Sequence, residues 1–227
     1  MRFAPLFEDR RDAGRQLAKA LAHYRASRLV VLALPRGGVP VGFEVAKALA
    51  ATLDVLLVRK IGAPGHEELG LGAVVDGQDP QLVLNEDVIR MVRPPAGYIE
   101  AEKKRQLAEI ERRRRQYVGD RPPTPVEGRT VIIVDDGIAT GGTVKAAMRG
   151  VSQHRPARLV LAVPVAPADS LEELAPECDD IVCLATPAPF FAVGSHYQDF
   201  TQTDDAEVIR LLEEARQWSG APAGPAG

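Results

Sequence analysis

Val131-Ile132-Ile133-Val134-Asp135-Asp136-Gly137-Ile138-Ala139-Thr140-Gly141-Gly142-Thr143 joins an apolar run to two carboxylates and then to a turn of threonine and glycine. The β-branched run predicts a strand buried on both faces. Thr-Gly-Gly-Thr predicts the opening of a helix over Thr143–Gln153, and a phosphate belongs at that opening. Glycines let successive N–H groups point into one concavity, Thr140 and Thr143 add hydroxyl donors, and the helix dipole favours an anion. Asp135 and Asp136 would repel a phosphate unless the ligand also offers hydrogen-bond donors or a metal. A ribose 5-phosphate meets both demands, with its phosphate in the Gly-Thr turn and its hydroxyls donating to the aspartates. A plain strand-to-helix turn, or another kind of phosphate loop, is the alternative. A Walker loop is excluded because its Gly-x4-Gly-Lys pattern is absent and no lysine stands at Gly142 or Thr143.

With its strand, acid pair and Thr-Gly-Gly-Thr, this stretch resembles the signature of the type I phosphoribosyltransferases. The resemblance extends over most of the chain, from Leu29 to about Leu184. It implies an α/β fold of that type, with a five-stranded parallel core sheet flanked by helices and a small hood. It also implies a substrate, 5-phosphoribosyl 1-pyrophosphate (PRPP), whose ribose hydroxyls are held by Asp135 and Asp136. Ala139, Thr140, Gly141, Gly142 and Thr143 would then hold its 5-phosphate. Mg²⁺ would be carried mainly by PRPP, so no all-protein metal site is expected. The chemistry implied is transfer of the phosphoribosyl group to a small nitrogenous acceptor with release of diphosphate. Hypoxanthine-guanine members of the family carry an aspartate where this chain has Ala139, so a 6-oxopurine acceptor is disfavoured. A non-catalytic PRPP- or nucleotide-sensing regulator of the same fold is the competing reading. An enzyme of PRPP synthesis ranks behind both, because no second sheet domain is evident.

Moving outward, Leu34-Pro35-Arg36-Gly37-Gly38-Val39-Pro40 leaves the first predicted strand and opens another helix. Arginine's planar fork suits two oxygens of one phosphate, although Pro-Arg-Gly-Gly is also an ordinary turn composition. Ligands of open α/β sheets sit beyond the carboxyl ends of the strands, and both loops leave strands there. By resemblance to the family's pyrophosphate loop, Arg36, Gly37 and Gly38 would contact the diphosphate. Lys60, with Arg59 as second choice, would help neutralise that leaving group. The alternative is a strand that simply ends in solvated charge. His66, Glu67 and Glu68 fall where a closing loop could bring a proton acceptor.

Strands are predicted at Leu29–Leu34, Asp54–Val58, Thr130–Val134, Arg158–Val163 and Asp180–Leu184. Helices are predicted at Asp9–Ala26, Val39–Ala51, Pro95–Tyr117, Thr143–Gln153, Ala168–Leu174 and Ala206–Trp218. This alternation argues for a parallel sheet with right-handed crossovers. Ile61–Arg93 reads as a long loop or mobile hairpin with short strands near Ala73–Val75 and Leu82–Leu84, forming a hood with the C-terminal segment. One domain is expected over residues 1–218, and 219–227 read as a disordered tail.

The 227 residues, 45% hydrophobic and 26% charged, can bury one substantial core. A formal charge of −3 gives no global case for nucleic acid as a partner. Arg112–Arg115 lies among Glu100, Glu102, Glu109 and Glu111 and reads as the solvated face of an amphipathic helix, with a homodimer contact as an alternative. Cys178 and Cys183 read as core residues in a reducing compartment. The apolar runs are strand-sized and the start carries no signal pattern, so a cytoplasmic protein with no membrane partner is expected. Phe190, Phe191, Tyr197 and Phe200 either pin an irregular segment to the core or stack on a planar acceptor, and pinning is favoured.

Overall fold

Leu29-Val30-Val31-Leu32-Ala33 is buried at every position, which requires cover on both faces of the strand. The computed structural model describes residues 5–25 and 28–219. It begins with α1 (Arg10–Ala20), β1 (Leu29–Ala33), α2 (Gly38–Leu49) and β2 (Thr52–Val55). Next come β3 (Val58–Ala63), β4 (His66–Val75), β5 (Gln81–Leu84), α3 (Glu86–Val92) and α4 (Tyr98–Val118). The remainder is β6 (Thr130–Val134), α5 (Gly142–Ser152), β7 (Arg158–Val165), α6 (Ala168–Leu174), β8 (Asp180–Ala185) and α7 (Asp205–Ser219).

The expected five-stranded parallel sheet is present, in the order β2-β1-β6-β7-β8. Ala33 pairs with both Val55 and Val134, so these strands finish level and their loops leave along one edge. Alternation along each strand feeds two cores. Val31, Ala33, Ile132 and Val134 join Leu17, Phe43 and Leu211 from α1, α2 and α7. Val30, Leu32, Val131 and Ile133 join Met148 of α5 and Val75 of β4. Each of the larger side chains, Ala33 aside, contributes about 1.5–3 kcal/mol when fully buried.

The hood expected from Ile61–Arg93 is present, and the short strands expected near Ala73–Val75 and Leu82–Leu84 fall within β4 and β5, but the stretch is more ordered than a long loop. β3, β4 and β5 form a second, antiparallel sheet, and α3 follows it, with the Asn85 side chain accepting from Val88 N–H at 3.4 Å. Two glycines of this stretch serve close backbone passage. A Cβ on Gly62 would come within 2.5 Å of Glu67 O, and one on Gly72 within 2.3 Å of Val83 O. The strand expected at Asp54–Val58 splits for a related reason. Leu56 N–H completes the pairing with Ala33 O at 3.0 Å, and Leu57 O then accepts Asp76 N–H at 2.8 Å, which starts the hood.

Other expectations shift less. The opening helix ends at Ala20 and tightens into a 3₁₀ turn over Ala22–Tyr24, where Tyr24 N–H bonds Leu21 O and satisfies a terminal carbonyl. Ala26 and residues 220–227, which include most of the expected tail, lie outside the described residues. The C-terminal segment does not complete the hood sheet. It pairs with residues near the start of the chain, where Phe7 bridges to Tyr197. Cys178 and Cys183 are free and half-buried, at the margin of the core on the α5 side. No helix among the described residues is long and apolar enough to cross a membrane.

The arginine run on α4 divides. Arg112 and Arg113 pair with Glu109, and Arg115 with Glu111, on the solvated face as expected. Arg114 is buried instead, its Nη2 2.9 Å from Asp54 Oδ2 and its Nη1 2.8 Å from Asp76 Oδ2. It thereby ties α4 to β2 and to the end of β4. Burial lowers its pKa, but the two carboxylates outweigh that and the net shift is upward. Burial raises Asp76 above the usual carboxylate range, against the pull of Arg114.

Candidate functional site

Because β1 and β6 end level, the loops leaving Ala33 and Val134 lie side by side. Their contact leaves no room for a side chain. A Cβ on Gly37 would fall 2.1 Å from Asp136 Oδ2, and one on Gly38 2.7 Å from Val134 O. The glycine loop and the acid pair, distant in sequence, therefore make one wall. Arg36, half-buried, places Nη1 3.7 Å from Asp205 Oδ1. Asp205 is itself fixed by Tyr117 Oη at 2.8 Å and Gln116 Nε2 at 3.0 Å, and the Tyr117 hydrogen bond is the main cause of its lowered pKa.

Asp135 and Asp136 are half-buried. Asp136 N–H donates to Asp135 Oδ1 at 2.9 Å. Burial, and then the charge of Asp136, push the Asp135 carboxyl well above its ordinary value. Two neighbours that the sequence reading missed complete this corner. Arg10 Nε donates to Asp136 Oδ2 at 2.8 Å, and Tyr197 Oη donates to Asp136 O at 2.5 Å. Burial raises the Tyr197 phenol far above its usual pKa, so the hydroxyl remains a donor. Arg10 precedes Asp136 by 126 residues, and no local motif connects them.

Past the acids the chain turns through Ala139 and Thr140, both exposed, into α5. Gly141 sits at φ 73° at the helix start, where no side chain caps the first N–H groups. A Cβ on Gly142 would meet open space. Glycine suits the left-handed Gly141 position, and an uncapped helix start leaves orphan donors available to an anion. Thr143 is half-buried within the first turn.

Lys60 is exposed and, with Gly142, Lys145 and Arg149, lines a cleft of about 530 Å³ between the hood and α5. Arg59 takes the opposite face of β3, donating from Nε to Gln106 Oε1 at 3.1 Å on α4. Glu68 lines the same cleft, whereas exposed His66 and Glu67 do not. The structure thus forms two groupings. Gly37 and Gly38 lie against Asp135 and Asp136, with Arg36 next to them in the chain and turned to Asp205, while Lys60 lies with Gly142 at the Thr-Gly-Gly-Thr turn. Among the aromatics, Tyr197 is buried against Phe7 and Phe190 packs on His196, so both pin the segment. Phe191 is 78% exposed and pins nothing.

A family model described as a phosphoribosyl transferase domain matches residues 8–199. Proteins named "Putative phosphoribosyl transferase" from two strains of Mycobacterium tuberculosis are 51% identical over 212 residues, covering 93% of this chain and 47% of theirs. The chain therefore spans about half the length of these curated relatives. The crystal structure of TT1426 from Thermus thermophilus superposes with a TM-score of 0.81 at 44% identity, covering 94% of this chain and 99% of that one.

Proposed function

The chain belongs to the phosphoribosyl transferase family, and on that premise we propose that it moves a 5-phosphoribosyl group from PRPP to a small nitrogenous acceptor. The observation that carries this reading is the packing of Gly37 and Gly38 against Asp136 and Asp135. It sets a candidate diphosphate loop beside a candidate ribose anchor, with an uncapped helix start following directly.

In this reading Asp135 and Asp136 accept hydrogen bonds from the ribose hydroxyls. Ala139, Thr140, Gly141, Gly142 and Thr143 receive the 5-phosphate through backbone N–H groups and threonine hydroxyls. Arg36 turns from Asp205 to the diphosphate, and Lys60 supplies positive charge from the hood side. The acceptor nitrogen forms a bond to C1 with its lone pair, the C1–O bond breaks, and its electron pair leaves on diphosphate. The proton lost by the nitrogen passes to solvent or to a nearby base. Two carboxylates, one already bonded to Arg10, suit hydroxyl donors better than a closed metal cage. Asp135 and Asp136 would be the residues to meet Mg²⁺ carried by the diphosphate, and the ion would neutralise the leaving group. The protein's share is positioning and charge stabilisation. The methyl group of Ala139 argues against a 6-oxopurine acceptor.

Calorimetry with PRPP and ribose 5-phosphate tests the site. Replacing both acids, Asp135→Asn with Asp136→Asn, should weaken both ligands by about 2–4 kcal/mol, since charge-assisted hydrogen bonds are lost. Arg36→Ala should weaken PRPP much more than ribose 5-phosphate. Undiminished binding by the double variant would remove the ribose assignment. Diphosphate release with an acceptor panel then separates an enzyme from a PRPP-sensing regulator.

A further inference from the structure

Two stretches from opposite ends of the described chain converge on Asp136. Leu6 and Phe7 donate their N–H groups to His196 O at 2.8 and 3.1 Å, and Gln198 and Asp199 donate back to Phe7 O and Glu8 O, each at 2.8 Å. This clasp buries Tyr197, whose ring lies 5.3 Å from that of Phe7 and whose hydroxyl holds Asp136 O. Arg10 follows the clasp directly as the first residue of α1. Three contacts fix its guanidinium: Nε to Asp136 Oδ2 at 2.8 Å, Nη1 to Thr201 O at 2.7 Å, and the Phe200 ring, whose centroid is 3.9 Å away.

We propose that Arg10 is a positioning residue for the sugar site, fixing the Asp136 carboxylate so that Oδ1 is presented to a ribose hydroxyl. This rests on the phosphoribosyl reading above. Asp136 is restrained at three of its polar atoms: its N–H by Asp135, its carbonyl by Tyr197 and its Oδ2 by Arg10. Among the described residues no backbone N–H and no basic side chain reaches Oδ1. An exposed ion pair would count for little, but the Arg10 and Asp136 side chains are only 11% and 15% exposed. The guanidinium is also held by Thr201 and Phe200 independently of Asp136, so it imposes a geometry on the carboxylate. Its positive charge offsets part of the repulsion between the adjacent acids.

The test uses the full chain and measures affinity for ribose 5-phosphate and for inorganic phosphate, which needs only the turn at Thr140–Thr143. Arg10→Gln should weaken ribose 5-phosphate about tenfold or more, as expected for a lost charge-assisted arrangement, and leave phosphate unchanged. Arg10→Lys, which retains the charge without the fork, should recover part of that loss. Added to Asp136→Asn, Arg10→Gln should have no further effect. Equal weakening of both ligands would reduce Arg10 to a support of the fold. Unchanged or tighter sugar binding would overturn positioning, with tighter binding marking the contact as a block. Additive losses in the double variant would show that Arg10 does not act through Asp136. Failure of the unaltered chain to bind ribose 5-phosphate would instead defeat the phosphoribosyl reading itself.

Discussion

Two places in the molecule combine a pair of aspartates with one arginine, and they differ in what is left unsatisfied. Beneath the hood, Arg114 bonds Asp54 and Asp76, and backbone N–H groups of Val55, Thr124 and Gly77 take up the rest. Every carboxylate oxygen there has a donor. At the edge of the core sheet, Asp135 Oδ1 accepts from Asp136 N–H and Asp136 Oδ2 from Arg10. Among the described residues no backbone N–H and no basic side chain reaches the other two oxygens. Buried polar groups are ordinarily paired, and the first constellation is a finished joint in its carboxylates, with only Arg114 Nε left buried and unpartnered, whereas the second leaves two carboxylate oxygens that a ligand can complete. Composition alone does not separate them.

The largest effect should come from breaking the finished joint. Arg114→Met strands two buried carboxylates and should cost about 3–5 kcal/mol of stability, read from urea unfolding. A loss under about 1 kcal/mol would show that the joint is slack and that the contrast with the acid pair is unfounded. Asp135→Asn should act the opposite way. The folded pKa of Asp135 lies well above its ordinary 3.8 because of burial and Asp136, so the folded state holds a proton that the unfolded state releases. Its favourable contribution is complete below 3.8 and is lost as pH rises through the folded value. The asparagine variant, which cannot ionise, should therefore unfold later than the parent at neutral pH and lose that advantage on acidification, even as sugar binding falls. Melting curves over a pH series decide it, and a constant difference would mean that Asp135 is not strained by its neighbour. The smallest effect sharpens the comparison from within one run. Hydrogen bonds from Arg112 and Arg113 lower Glu109 to about 2, yet the pairs are solvated. Arg112→Ala and Arg115→Ala should leave the unfolding midpoint where it was, and a clear drop would indicate that this face of α4 is covered in an assembly.

These same residues show what the sequence could reveal. Asp135, Asp136 and the Thr-Gly-Gly-Thr turn are contiguous with a β-branched strand, so local pattern sufficed to place them between β6 and α5, and the core strands announced themselves as unbroken apolar runs. Arg114 was masked by three solvated arginines, although its helical phase was available. It lies four residues after Ile110 and just before Tyr117 and Val118, all of them buried. Arg10 and Tyr197 reach the acid pair only through the clasp between distant segments, which leaves no periodic trace. Of the hood strands, β3 and the first half of β4 escape the pattern because Gly62 and Gly72, there to let backbones approach, have the composition of a loop.

The Arg114 joint also governs parity in the hood. Asp76, whose carboxylate it grips, sends its N–H to Leu57 O, pegging the point from which β3 and β4 zip: Val58 to Val75, Arg59 to Val74, Lys60 to Ala73. Successive residues of a strand face opposite ways, so this peg decides which basic residue looks into the cleft. The irregular pairing around Gly62 absorbs the odd residue at the far end, where a miscount reaches only the hairpin turn. Were the peg to slip by a single place, Arg59 would inherit the cleft and Lys60 would turn to α4, so a residue outside the cleft acts as the counting mark for one that lines it.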